Sequence, residues 1–311
     1  MRSYDVLMFG GYFCDLIITG LPELPRLGLD LFGTGMGLHA GGTFNTVRAL
    51  HRLGMRVGWV CDFGDDLFSQ FVLSEIHQEG VDTSLFRYHD RPVRWFSLAF
   101  SFAGDRGFIS YIDPVEPYDR IPYVLDYKPG CILLGSLEYG PEMMELVDAA
   151  RRVGALVYMD CQATPATLKT PGVVETLRSI DAFLPNASEA VQITGAANVE
   201  QAADILSAMI PLVVIKLGPE GALARTKDCK FYSPALDVEV VDTTGAGDCF
   251  NAGFLYSHLR DQPVEISLRA GNICGGLSTT TSGTGAAPSE EEIKKYLQLG
   301  GDALDGPGPL E

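Results

Sequence analysis

Between residues 131 and 217, short apolar runs alternate with helical segments, a rhythm that few architectures satisfy. The runs 131–135, 156–160, 182–184 and 212–217 read as strands, while 142–153, 173–180, 188–194 and 199–209 read as helices. Strands that are apolar almost throughout must be covered on both faces, and helical crossovers join parallel neighbours. The pattern therefore predicts an α/β fold around a mainly parallel sheet. No internal repeat breaks the sequence up into a solenoid or propeller.

Two N-terminal pieces depart from that rhythm. Residues 16–19, 93–101 and 108–112 read as short antiparallel strands, the last two joined through a glycine-bounded turn at 103–107. They suggest a small β-rich lobe inserted in a single domain spanning 1–311, built from about 12–38 and 86–118 and able to act as a lid. Exposed strand edges on such a lobe are a template for pairing with a second copy, so a homodimer through the lid is the assembly considered. The tail, 300–311, reads as a frayed end.

Composition narrows the function. With 311 residues, 46% of them hydrophobic, the chain can bury a large core, and a formal net charge of −17 disfavours nucleic acid and anionic membrane as partners. The seven cysteines form no C-x-x-C pair, so neither a disulfide framework nor a zinc site is signalled. There is no charged leader followed by a long apolar core and no membrane-length apolar run. A cytoplasmic location is expected, and the glycosylation sequon at Asn186-Ala-Ser188 is discounted with it.

The most informative motif is Asp242-Thr-Thr-Gly-Ala-Gly-Asp-Cys-Phe-Asn-Ala-Gly-Phe254. Residues 231–241 read as extended and 249–259 as a helix, so the segment runs strand, glycine turn, helix. The first amides of a helix lack intrahelical partners and carry the positive end of the dipole, which lets Gly245, Ala246 and Gly247 hold an anion. Asp248 then stands beside that anion, where a general base for a substrate hydroxyl is needed. The plainer reading of Gly-Ala-Gly-Asp is a tight turn with an acidic first-turn residue.

Three further segments can build a site. Ala40-Gly-Gly-Thr-Phe-Asn45 opens a second glycine-to-helix junction, whose amides at Gly41 and Gly42, with the Asn45 side chain, suit the hydroxyls of a polyol. Asn186-Ala-Ser-Glu189 follows a strand at the carboxyl edge where ligands of parallel sheets gather. There Glu189 can hold Mg²⁺ through water, and the same residues also form a capping-box sequence. Lys216-Leu-Gly-Pro-Glu-Gly221 links a strand to the extended segment 222–225 and can line a purine and ribose. No G-x-x-x-x-G-K-[ST] sequence exists, and the glycines at 33–37 lack dinucleotide-fingerprint spacing.

Together these segments resemble the ribokinase-like, or PfkB, family of carbohydrate kinases. Ala40–Asn45 with Gly54 and Gly64 matches the family's N-terminal signature, 242–255 its C-terminal signature, and Asn186–Glu189 its N-x-x-E motif. The resemblance implies a three-layer sandwich with a mainly parallel central sheet and a small β-rich lid. It implies ATP and Mg²⁺ as cofactors, Asp248 as catalytic base, and Gly245–Gly247 as the stabiliser of the transferred phosphoryl group. It also implies that Asn186 and Glu189 organise Mg²⁺ and phosphates, that Asp15, Gly42 and Asn45 bind the sugar, and that Lys216, Gly218, Gly221 and Asn272 border the nucleotide. Asp242 corresponds to a contact for a monovalent cation, K⁺.

Departures from the family pattern narrow the substrate. Thr43 stands where phosphofructokinase-type members carry lysine, which disfavours a phosphorylated sugar. Cys-Gln-Ala-Thr-Pro after Asp160 lacks the asparagine and arginine of fructokinases and 2-keto-3-deoxygluconate kinases. Leu137-Glu138 resembles the Leu-Glu of ribokinases, in which the glutamate reaches the sugar, yet the Asn-Pro-Ala-Pro of ribokinases is absent. The leading expectation is an ATP-dependent kinase of an unphosphorylated sugar. The alternatives are an adenosine-like nucleoside kinase, with the aromatic segment 95–102 stacking on a base, a pyridoxal- or hydroxymethylpyrimidine-type kinase, and a non-catalytic sugar-binding regulator.

Overall fold

The computed structural model describes residues 3–102, 105–281 and 286–299. In chain order the elements are β1 (Val6–Phe9), β2 (Tyr12–Thr19), β3 (Gly35–Gly42), α1 (Thr43–Arg52), β4 (Val57–Val60), β5 (Asp62–Phe63), α2 (Leu67–Glu79), β6 (Arg87–Tyr88), β7 (Trp95–Phe102) and β8 (Asp105–Ile112). There follow α3 (Ile121–Tyr127), β9 (Cys131–Leu134), α4 (Pro141–Val153), β10 (Leu156–Met159), α5 (Val173–Leu177), β11 (Ala182–Phe183), α6 (Ala187–Thr194), α7 (Val199–Ser207) and β12 (Leu212–Lys216). A 3-10 turn at Gly218–Glu220, β13 (Ala222–Arg225), β14 (Lys230–Ser233), α8 (Ala246–His258), α9 (Val264–Ser278) and α10 (Glu290–Leu299) complete the chain. The chain divides into two compact units, one of Gly10–Asn45 and Trp59–Pro117 and the other of the remaining residues.

The larger unit is built on an eight-stranded sheet of order β14-β13-β12-β11-β10-β9-β1-β4, with helices on both sides. The pairs β1–β9, β9–β10, β10–β11 and β11–β12 are parallel, and β13 and β14 add antiparallel strands at one edge. All four residues of β1 and of β9 are buried, as are Leu212–Ile215 of β12, which is the two-faced burial the apolar runs require. Each such side chain contributes roughly 1.5–3 kcal/mol over leaving it in water. The alternation of strands and helices expected over 131–217 is thus realised, each boundary within two residues except the end of α5, which stops at Leu177 and not at 180.

Beyond the sheet, α8 and α9 pack closely because small residues let their backbones approach. A Cβ built on Gly253 would lie 2.5 Å from the Ala270 carbonyl oxygen, and one on Gly271 would lie 2.8 Å from Cε2 of Phe250. The segment expected to be extended over 231–241 is a strand only to Ser233 and irregular afterwards.

The smaller unit carries a four-stranded sheet of order β3-β2-β7-β8. The β7–β8 pair is antiparallel as expected, but β2 pairs parallel with β7 and takes its antiparallel partner from β3, a strand the sequence did not suggest. β3 is glycine-rich (Gly-Met-Gly-Leu-His-Ala-Gly-Gly) and lacks the β-branched run that marks a strand; its pairing with all eight residues of β2 holds it. Under this sheet Tyr12 stacks on Phe63 with ring centroids 4.9 Å apart, and Trp59 is fully buried against Phe44 and Phe86. The expected turn at 103–107 falls partly, and the tail at 300–311 wholly, outside the described residues. Among the described residues no helix is long and apolar enough to cross a membrane.

Candidate active site

The start of α8 has the form that Gly-Ala-Gly-Asp suggests. Gly245 is its N-terminal flanking residue at φ 72, a left-handed conformation that glycine adopts without a Cβ penalty, and no side chain caps the helix. No side chain takes the first-turn amides, and the Ala246 amide donates to the Thr243 carbonyl at 3.3 Å. Upstream, the Val241 and Asp242 amides both donate to the Thr279 carbonyl, and Asp242, buried, accepts from the Thr244 amide at 2.8 Å. Asp248 lies half-buried in the first turn, and its Oδ1 accepts a 3.0 Å hydrogen bond from Thr46 Oγ1. Behind it Cys249 is fully buried, and burial first, then the Asp248 charge, push its thiol up to about 12. That thiol is inert at neutral pH.

At the carboxyl edge of the parallel strands the chain gathers a polar cluster. Asp160 follows β10, Asn186 follows β11, and Lys216 ends β12, so these three come from adjacent strands. Lys216 Nζ donates to Asp160 Oδ1 at 2.8 Å, to Asp160 Oδ2 at 2.9 Å and to Asn251 Oδ1 at 3.3 Å. Asn251, one turn beyond Asp248 in α8, donates its amide to Asp160 Oδ2 at 2.5 Å. A Cβ on Gly247 would sit 3.9 Å from Lys216 Nζ, which places the ammonium beside the first turn of α8.

Asn186 and Glu189 form a complete capping box. Asn186 Oδ1 accepts the Glu189 amide at 2.9 Å, and Glu189 Oε2 accepts the Asn186 amide at 2.7 Å. Burial, the largest influence, raises the Glu189 pKa; the Asn186 amide and Lys216 oppose it and Asp160 reinforces it. One carboxylate oxygen is thus committed to the cap, leaving Oε1 outside the box. Among the described residues no group of three or more His, Cys, Asp or Glu could hold a metal ion. A lone carboxylate of this kind fits Mg²⁺ that keeps waters and is carried mainly by phosphates, not an all-protein cage.

The residues expected around a nucleotide divide into two groups. Lys216 belongs to the cluster just described. Gly218 opens the 3-10 turn, whereas Gly221 and Asn272 meet elsewhere, on the chain leaving β14. A Cβ on Gly221 would fall 2.2 Å from the Ser233 carbonyl oxygen, and the buried Asn272 amide donates to the Ser233 and Pro234 carbonyls at 2.9 and 3.0 Å. Asn272 thereby fixes the segment that leads from β14. Glu138, expected to face a sugar, is paired through Oε2 with Arg120 Nη1 at 2.6 Å, a partner the sequence did not suggest. Leu137 donates its amide to the Cys161 carbonyl at 2.8 Å, tying this segment to the residue after Asp160.

In the smaller unit Asp15, Gly41 and Asn45 come together. A Cβ on Gly41 would lie 2.0 Å from Asp15 Oδ2, with Asn45 Nδ2 at 3.8 Å, so only glycine leaves this carboxylate its place. Gly42 turns β3 into α1 at φ 68, where a Cβ would also meet the Gly11 carbonyl at 2.9 Å. Sequence reasoning passed over Asp160, Asn251, Thr46 and Arg120. The position of Asp160 at the carboxyl end of a predicted parallel strand was the available signal for it; the others depend on contacts far apart in sequence.

The family model for pfkB family carbohydrate kinases matches residues 33–292. A deoxyribokinase of Salmonella typhi is 25% identical over 307 residues, covering 95% of this chain and 99% of that protein. In fold the chain is similar to Arabidopsis thaliana ribokinase complexed with ribose and ATP (TM-score 0.79, 21% identity, 95% and 99% covered). It is similar also to a putative ribokinase II from E. coli in complex with ATP and Mg²⁺ (TM-score 0.75, 20% identity, 95% and 99% covered). The chain belongs to the pfkB family of carbohydrate kinases, with a ribokinase-like α/β fold.

Proposed function

We propose that this kinase transfers the γ-phosphoryl group of ATP to a hydroxyl of an unphosphorylated sugar, with Asp248 taking the hydroxyl proton. The observation that carries this reading is the placement of Asp248 in the uncapped first turn of α8, next to amides that can take the charge of the transferred group. Such a transfer asks the protein mainly for positioning and charge neutralisation. In this reading Gly245, Ala246 and Gly247 supply the amides, and Asn186 and Glu189 order Mg²⁺ and its waters around the phosphates. Lys216, Gly218 and Gly221 border the nucleotide, with Asn272 supporting the wall behind Gly221, and Asp242 contributes to a K⁺ site.

Asp15, Gly41, Gly42, Asn45 and Glu138 are proposed to bind the sugar. This set offers carboxylates, amides and a carboxamide, and Glu138 carries its own counter-ion, Arg120. Such donors and acceptors suit neutral hydroxyls better than a phosphate or carboxylate on the substrate. The Salmonella relative is named a deoxyribokinase and the Arabidopsis structure holds ribose with ATP, which supports a pentose as the first substrate to try. The smaller unit's sheet leaves Met36, Phe108, Ile109 and Tyr111 exposed, which supports its pairing with a second copy.

The test is release of ADP from Mg²⁺–ATP by the purified protein against pentoses, hexoses, keto-acids and nucleosides. Turnover with a neutral sugar is the expected result. Preference for a nucleoside would move the substrate assignment, and release with no alcohol would contradict the reading.

A further inference from the structure

We infer that Asp160 and Asn251 are positioning residues for phosphoryl transfer, holding the Lys216 ammonium beside the first turn of α8 to meet the anionic phosphates. The inference rests on the kinase reading above and adds to it two residues given no role in that reading. A lysine on a four-carbon stem is a mobile point charge, and to act on one phosphate it must be held. Here the three protons of the ammonium have three acceptors: both oxygens of Asp160 and Oδ1 of Asn251.

The holders are themselves fixed. Asp160 Oδ1 accepts the Cys161 amide at 2.7 Å and Oδ2 accepts the Asn251 amide, so the carboxylate is oriented from its own backbone and from α8. Asn251 is 2% exposed and lies on the helix that carries Asp248. The backbone of Lys216 is anchored too, its amide donating to the Pro185 carbonyl at 3.0 Å and bridging to Asn186 at the start of α6. The ammonium is thereby coupled to the amino ends of two helices, α6 and α8, both of which present positive partial charge.

Stability alone is a poor account of this arrangement. The Lys216 and Asp160 side chains are only 12% and 10% exposed, and burying an ion pair costs desolvation that apolar residues of the same volume avoid. In a chain without a P-loop lysine, a cation held at the phosphate-facing end of α8 has a clear use. Asp160 keeps the ammonium from straying, and a polyphosphate oxygen takes one of its three protons in exchange for the longest of these bonds, the 3.3 Å one to Asn251 Oδ1.

A double-mutant cycle tests the inference: the dissociation constant for Mg²⁺–ATP, the KM for ATP and kcat are measured for wild type, Asp160→Asn, Lys216→Met and the double variant. If Asp160 acts through Lys216, Lys216→Met weakens nucleotide binding or turnover by roughly tenfold or more, and Asp160→Asn by severalfold. The double variant is then no worse than Lys216→Met alone. Losses that multiply, or an Asp160→Asn protein with wild-type constants, overturn it. Should Asp160→Asn fail to fold, Asn251→Ser takes its place. The positioning role predicts a higher KM for ATP with the sugar KM unchanged, whereas a purely structural role lowers the melting temperature and leaves both constants intact. Wild type that binds Mg²⁺–ATP but phosphorylates no alcohol contradicts the kinase reading while the cycle in dissociation constants still decides the inference; wild type that binds no Mg²⁺–ATP overturns both.

Discussion

Thr46 Oγ1 donates a 3.0 Å hydrogen bond to Asp248 Oδ1, joining residues 202 positions apart. The bond fixes one oxygen of the proposed base against α1. Thr46→Val keeps the shape of the side chain and removes the donor. Turnover is expected to fall by roughly tenfold, the scale of one hydrogen bond to a charged group, with the KM for ATP little changed. Steady-state kinetics of the variant check this, and unchanged turnover would show that Asp248 is oriented by other contacts.

Gly41→Ala tests the sugar assignment. Its new Cβ falls 2.0 Å from Asp15 Oδ2, so the carboxylate must move. Loss of a charged hydrogen bond to a hydroxyl should raise the sugar KM by roughly tenfold or more, with ATP binding unaffected. A sugar KM equal to wild type would remove Asp15 from the substrate-binding set.

Gly253→Ala probes the α8–α9 contact that positions the start of α8. The added methyl meets the Ala270 carbonyl oxygen at 2.5 Å and Cys274 Sγ at 2.7 Å, neither able to yield without moving a helix. Overpacking of this kind costs about 1–3 kcal/mol. Urea denaturation should show that loss, and a variant as stable as wild type would mean that the two helices can part without cost.

His258 gives the protein a stability that depends on pH. Its Nδ1 lies 2.5 Å from the Tyr158 hydroxyl and its ring stacks on Phe254 with centroids 5.2 Å apart. Burial pushes its pKa below the ordinary 6.5, with Asp261 opposing. The folded chain therefore resists a proton that the unfolded chain accepts, so this contribution is complete above 6.5 and is lost as the pH falls toward the lowered folded value. Between about pH 7.5 and about pH 5, urea midpoints should fall further for wild type than for His258→Gln. Parallel pH profiles for the two proteins would refute the assignment.

Much of the large sheet was legible because its strands are apolar on both faces and its helices carry plain boundaries: the capping box at Asn186–Glu189 and the glycine after α4, Gly154, both stand where their sequence places them. The uncapped start of α8 was legible for the same local reason. What the sequence hid is non-local. β3 holds its place through backbone pairing to β2, which glycine permits without announcing, and the Lys216 ion pair joins residues 56 positions apart. Glu138 looked like a substrate ligand alone because its arginine, Arg120, precedes the strand β9 and comes beside it only in the folded chain.

The proposed role of the Asp248 carboxylate is to take the proton of the acceptor hydroxyl. Its most direct measurement is the rate of sugar-dependent ADP release by Asp248→Asn, a nearly isosteric change, alongside the dissociation constant for Mg²⁺–ATP. Turnover is expected to fall by roughly 10²–10⁴-fold with nucleotide binding largely retained. Turnover within a fewfold of wild type would contradict it.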